Sequence, residues 1–244
     1  MKGFLPALVA FVLLALPAAA DSREAAYRAQ RWLGAGVPTR VIRLTNDPAI
    51  NGRPAEFHGL VVVFADILWL YTESDGTQNL SLRQGQVAAD EANLLALLQQ
   101  SIPGVTGWMD DVGPPPALAD PAGPLPNGCF IACVARWEKL QRDRDPPARV
   151  RLLACYPPGR RAGHMLLEFE RGRARYVFDP AAPKELQRWP ARRDDDPLAI
   201  ATAALEPRWR VKPVRVTAVK VPAPVAGPAG ARVAGEPPRP PSRG

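Results

Sequence analysis

The sequence predicts an α+β fold: an antiparallel sheet with a helix packed against it, the helix opening on a cysteine. Three observations carry this. Residues 163–170 (GHMLLEFE) and 173–178 (RARYVF) alternate apolar and polar side chains as paired strands do, with Arg171-Gly172 between them. Asn127, a good helix-capping residue type, precedes the helical run CFIACVARWEKLQRD and puts Cys129 in its first turn. Residues 209–221 (WRVKPVRVTAVKV) are rich in β-branched valines, with Pro213 marking an edge or a break.

Residues 1–20 read as a secretory signal peptide. Lys2 forms a short positive region, residues 4–16 an apolar run, and Ala18-Ala19-Ala20 a cleavage site before Asp21. The run is short for a membrane span, and no later stretch is long enough to be one. Residues 61–70 come nearest, but Asp66 interrupts them. The expectation is an exported protein, secreted or periplasmic, cleaved after Ala20.

Residues 21–112 should hold a helix, strands and a supporting lobe. Residues 23–33 place Ala26, Ala29, Trp32 and Leu33 on one side of a helix, and residues 37–44 read as a first strand. Two apolar stretches follow in residues 57–73, then a turn at Ser74-Asp75-Gly76-Thr77 and a polar strand to Leu82. Residues 87–100 predict one helix, because Val87, Leu94, Leu95 and Leu98 recur at helical spacing and Ile102-Pro103-Gly104 ends it.

Residues 113–127 hold six prolines and form a linker, or the wall of a cleft just before Cys129. Residues 128–221 form the core that carries the reactive side chains, with a short helix at 197–204. From residue 222 to 244 the chain is mostly proline, alanine, glycine and arginine without an aromatic residue, a composition that predicts a disordered tail.

The formal net charge of +7 is scattered, and Arg142, Arg144, Arg192 and Arg193 sit beside aspartates. No clustered basic surface with interleaved aromatics appears, which argues against nucleic-acid binding. Two histidines and three cysteines offer no zinc-ligand spacing, so neither a metal nor a cofactor is expected. Cys133 bonded to Cys155 with Cys129 free, and all three thiols reduced, both fit an odd cysteine count.

Cys129, His164 and Asp179 occur in the order of a thiol nucleophile, its base and the carboxylate that orients the base. A helix N-terminus favours a thiolate, and its free amides can stabilise an oxyanion. One hairpin register sets His164 opposite Asp179, Glu168 opposite Arg175 and Glu170 opposite Arg173, forming two cross-strand ion pairs. It also collects Met165, Leu167 and Phe169 with Ala174, Tyr176 and Phe178 on the other face. A shift of two residues, which opposes Glu168 to Val177, is less complementary. In this register a tight turn strains Arg171, a poor residue for positive φ, and a four-residue loop avoids that cost.

From Gly128 to Pro180 the sequence resembles the transglutaminase-like, papain-related cysteine enzymes. Gly128-Cys129, Pro147-Ala148-Arg149-Val150, Gly163-His164 and Asp179-Pro180 follow in that family's order. The glycine directly precedes the cysteine, where members often have a residue between. The resemblance implies a papain/transglutaminase-like core, Cys129 as nucleophile, His164 as base and acid, and Asp179 as the orienting carboxylate. It also implies acyl transfer on a peptide or protein amide, with release by water or by an amine. Hydrolysis is the first expectation, because nothing in the chain argues for excluding water. Upstream, Trp108 and Gln84 are side-chain oxyanion donors by residue type alone. The rival expectation is a non-catalytic envelope binding protein on the same fold. A redox pair of Cys129 and Cys133 is disfavoured, since bonding across one helical turn is geometrically poor and there is no Cys-x-x-Cys.

Overall fold

The computed structural model describes residues 22–81, 83–158, 163–190, 196–209, 212–213 and 215–221. The expected signal peptide and C-terminal tail lie outside the described residues. Within them, two five-stranded antiparallel sheets and six helices give an α+β architecture. No described helix is long and apolar enough to cross a membrane.

The first half begins with α1 (Ser22–Leu33), which buries Ala25, Ala26, Ala29 and Leu33. It continues through β1 (Thr39–Asn46), the short α2 (Pro48–Asn51) capped by Asp47, β2 (Glu56–Phe64), β3 (Ile67–Thr72) and β4 (Gly76–Asn79). The two expected apolar stretches are β2 and β3. Ala65 and Asp66, both at φ 56, make the two-residue turn between them. The next hairpin differs from the expectation. Gly76 opens β4 opposite Thr72, and its φ of 72 closes a three-residue loop at 73–75.

The helix expected over 87–100 is two helices, α3 (Val87–Ala92) and α4 (Leu94–Ser101). Asn93 leaves the helical region at φ −109, ψ 19, and its side-chain amide donates to the Ala89 carbonyl, competing with the backbone ladder. β5 (Val105–Asp110), which the sequence pattern did not reveal, completes the sheet order β4-β3-β2-β1-β5. It is an edge strand that buries only Val105, so it carries little apolar signal.

The second half holds α5 (Cys129–Gln141), β6 (Arg149–Tyr156), β7 (His164–Arg171), β8 (Ala174–Phe178), β9 (Leu186–Pro190), α6 (Pro197–Trp209) and β10 (Arg215–Val221). Its sheet order is β10-β6-β7-β8-β9. α6 runs five residues beyond the expected end at 204, and the strand expected from 209 begins at Arg215.

Three cores define the layering. The largest joins Ala26, Ala29 and Leu33 of α1, Trp69 and Tyr71 of β3, Phe130 and Val134 of α5, and Leu152, Leu167 and Phe178 of the second sheet. The α1–α5 pair therefore shares one core with both sheets, and Trp69 and Phe130 meet there with ring centroids 4.6 Å apart. Leu94, Leu97 and Leu98 of α4 cover the other face of the first sheet. Ile200, Ala201, Ala204 and Leu205 of α6 cover the other face of the second. β3 is buried along its whole length because its two faces feed two cores.

The β7–β8 register corrects the expectation. Glu168 lies opposite Val177, Glu170 opposite Arg175 and Arg171 opposite Ala174, a shift of two residues that preserves which side chains share a face. Gly172 now takes the first central position of the turn at φ 59, so Arg171 avoids positive φ. Glu168 loses its expected partner directly across β8 but gains one on β6. Arg151 lies opposite it and makes bonds of 2.7 and 2.8 Å, while Arg175 makes a diagonal ion pair at 2.8 Å. The sequence pattern alone considered one neighbouring strand; the third strand decides the register.

Candidate functional site

Cys129 is the first residue of α5. The expected N-cap, Asn127, does not cap: Gly128 holds that position, without a side-chain cap. Asn127 instead adopts φ 52, a conformation asparagine tolerates better than most residues. Its amide donates to the carbonyls of Glu73 at 3.0 Å and Ser74 at 3.4 Å. Tyr71 donates from its hydroxyl to the Pro126 carbonyl at 2.9 Å. The β3–β4 hairpin thus fixes the two residues before Gly128. The proline-rich stretch itself runs beside α1, where Pro115, Pro116, Leu118 and Pro121 line a hollow with Tyr27 and Arg31.

Both glycines that precede reactive residues sit in tight surroundings, Gly128 the tighter. A Cβ at Gly128 would stand 2.5 Å from the Leu125 Cβ, and one at Gly163 would stand 3.0 Å from the Cys155 carbonyl and 3.1 Å from the Tyr156 ring.

His164 opens β7, and its Nε2 lies 2.8 Å from Oδ1 of Asp179. An ionised carboxylate can only accept, so Nε2 donates, which leaves Nδ1 as the ring nitrogen to act on the neighbouring Cys129 thiol. The corrected register makes His164 and Asp179 diagonal rather than direct neighbours, since Leu166 stands where His164 was expected. They remain on one face because the shift is even. Asp179 is 1% exposed and fully engaged. Oδ1 also accepts from the Ala181 amide at 2.9 Å, and Oδ2 accepts from Nη1 of Arg208 at 2.7 Å. The other arm of Arg208 holds Glu185.

Burial alone would raise the Cys129 thiol and lower the His164 imidazole. The hydrogen bond and charge of His164, with the backbone amides of Met165 and Phe130, outweigh burial and hold Cys129 below its ordinary value. The bonds from Asp179 and Cys129 likewise outweigh burial at His164, which is pushed up to about 9. For Asp179, burial opposes and His164, Ala181 and Arg208 prevail, so its carboxyl is lowered. All three shifts favour a thiolate–imidazolium pair braced by a carboxylate.

The three cysteines are all free. Cys133 is buried one turn into α5 and donates to the Met165 carbonyl at 3.5 Å. Cys155 lies across the ladder from His164. Burial raises both thiols, Cys155 to about 12. They are inert neighbours of the one lowered thiol.

Trp108 and Gln84 do not join the site. Trp108 packs under Arg40 against the outer core of the first sheet, and the Gln84 amide donates to the Ala65 carbonyl at 2.9 Å. The first-turn amides of α5 remain as donors beside the sulfur. His58, the second histidine, stands 3.9 Å from Asp111, and no cluster among the described residues has the make-up of a metal site. Arg208 is the residue that sequence reasoning missed: nothing distinguishes it from other basic residues at a helix end. No protein-family model, curated protein or solved structure matches this chain.

Proposed function

We propose that the chain is a thiol-dependent acyl-transfer enzyme with a transglutaminase-like, papain-related core, acting outside the cytoplasm as a peptidase or amidase. The observation that carries the reading is the contact of Cys129 with His164, whose far nitrogen is held by Asp179. In the proposed reaction the Cys129 thiolate attacks an amide carbonyl, and the oxyanion that forms accepts from amides of the first turn of α5. The imidazolium of His164 gives its proton to the leaving amine, leaving a thioester. His164 then takes a proton from water, whose oxygen attacks the thioester and frees the acid and the thiolate. Asp179 keeps the imidazole oriented and stabilises its charge throughout.

Iodoacetamide modification of Cys129 across pH tests this. The expected profile has a reactive plateau well below the pH at which an ordinary thiol ionises, a further change near pH 9 as His164 deprotonates, and loss of the plateau in His164→Ala. A single inflection at the ordinary thiol value, unchanged in that variant, leaves the non-catalytic binding protein as the better reading.

A further inference from the structure

We propose that Arg136 makes the site selective for acidic peptides, its guanidinium binding a carboxylate carried one or two residues from the amide that Cys129 attacks. The inference rests on the reading of Cys129 as nucleophile and names the charge of the substrate.

Cys129, Ala132 and Arg136 stand at i, i+3 and i+7 of α5 and so share one stripe of the helix. All three are half-buried, whereas Cys133 and Val134, on the side turned to the core, are buried. Between the sulfur and the guanidinium Ala132 puts only a methyl group. Two turns of helix separate Cys129 from Arg136, about 10.5 Å along the axis, and a long helical side chain leans toward the N-terminus, which shortens that gap. Phe178 fixes where the cation stands. Cζ of Arg136 lies 5.8 Å from the centroid of that ring, and Phe178 directly precedes Asp179, the residue that holds His164.

The cation is incomplete. Nε of Arg136 is buried, and among the described residues nothing accepts from it. No described carboxylate pairs with the rest of the guanidinium either. Arg28, Arg40 and Arg171 also bury an Nε without an acceptor, but each meets a carboxylate through another nitrogen, from Glu24, Glu91 and Asp143 respectively. Arg208, the other cation beside the site, is committed to Asp179 and Glu185. Arg136 therefore brings an uncompensated charge and an unmet donor to the cysteine stripe of α5.

Such a group costs stability unless something completes it. The face of Phe178 offsets part of the cost. A carboxylate supplies what is still missing, two acceptors in the planar fork that a guanidinium matches. A peptide carries that group as aspartate, glutamate or its own terminus. An extended chain advances about 3.3 Å per residue, so a carboxylate one or two residues from the scissile amide spans the distance from the sulfur to Arg136.

Two alkylating labels that differ in one group test this: the α-amides of N-iodoacetyl-glutamate and of N-iodoacetyl-glutamine. The second carries a carboxamide where the first has its side-chain carboxylate. The readout is the rate of labelling at Cys129, followed by mass spectrometry. The ratio of the two rates within one variant cancels any change in the sulfur itself. The wild type should favour the acidic label about fivefold or more. Arg136→Met, which keeps an apolar stem over Phe178, should bring the ratio below about twofold, the range left to screened, solvent-exposed charges. Arg136→Gln replaces it if Arg136→Met does not fold. A wild-type ratio below about twofold overturns the proposal, as does a preference that survives the loss of Arg136 and so belongs to the imidazolium of His164. Failure of Cys129 as nucleophile is read separately, in the iodoacetamide profile.

Discussion

Arg208 and His164 grip opposite oxygens of one buried carboxylate: Nη1 of Arg208 meets Oδ2 of Asp179 at 2.7 Å, and Nε2 of His164 meets Oδ1 at 2.8 Å. The carboxylate is thereby fixed in the plane its partner needs. Under the proposed chemistry Arg208 is a positioning residue. Arg208→Met should lower kcat/KM about tenfold or more, by analogy with outer-shell partners that orient site histidines. The loss should fall on kcat rather than KM, with partial rescue by Arg208→Lys, as steady-state kinetics would show.

The opposed shifts at Cys129 and His164 make a distinctive stability profile. His164, raised from 6.5 to about 9, contributes stability that is fully present below 6.5 and lost as pH rises toward 9. Cys129, lowered from 9.0, contributes stability present above 9 and lost as pH falls through its folded value. Between these limits the folded pair holds its proton on imidazole and the unfolded chain holds it on sulfur, so the two slopes offset. Urea unfolding of the wild type should vary little from pH 7 to 8.5. Cys129→Ser removes one slope while the Asp179 bond to the imidazolium remains, and its stability should decline as pH rises above 6.5.

Thiol counting separates the cysteines. In the native protein a disulfide-exchange reagent should titrate one thiol quickly, Cys129, and reach Cys133 and Cys155 only on unfolding, because both are buried with raised thiols. Two fast thiols in the folded protein would contradict the burial of Cys155.

Glu168 is 1% exposed between Arg151 and Arg175, themselves 6% and 2% exposed. Glu168→Ala leaves two buried guanidinium groups without their main partner and should cost about 3–5 kcal/mol, read by urea denaturation.

Gly128→Ala forces a methyl group against Leu125, with the Leu125 carbonyl only 3.0 Å from the new Cβ. The expected loss is about 1–3 kcal/mol, accompanied by slower alkylation of Cys129 because the start of α5 must move.

The cysteine, the histidine and the aspartate were legible in the sequence because each sits at a local signal: a helix start, a strand start and an Asp-Pro end. Their shared face was legible too, since a period of two fixes it whatever the even shift. The register itself was not, because the partner that satisfies Glu168 is Arg151, on a strand that the hairpin pattern does not contain. The brace on Asp179 was equally hidden. Arg208 comes from the far end of α6, and helix periodicity says nothing about where the last turn points. Asn127 shows a third cause. Its residue type suits a cap, but the carbonyls of the β3–β4 hairpin draw its side chain away and Gly128 takes the role.

The clamp of Asn127 on Glu73 and Ser74 ties the loop before the sulfur to one sheet, while the imidazole stands on the other. Cys129 is tethered through its loop to the first sheet, whereas His164 and Asp179 are strung on the second. The reactivity of the thiol is therefore a strain gauge for the α1–α5 layer between them. Trimming Phe130 or Trp69, whose rings meet in that layer, would let the sheets creep relative to each other and register as a slower alkylation rate long before the protein unfolds.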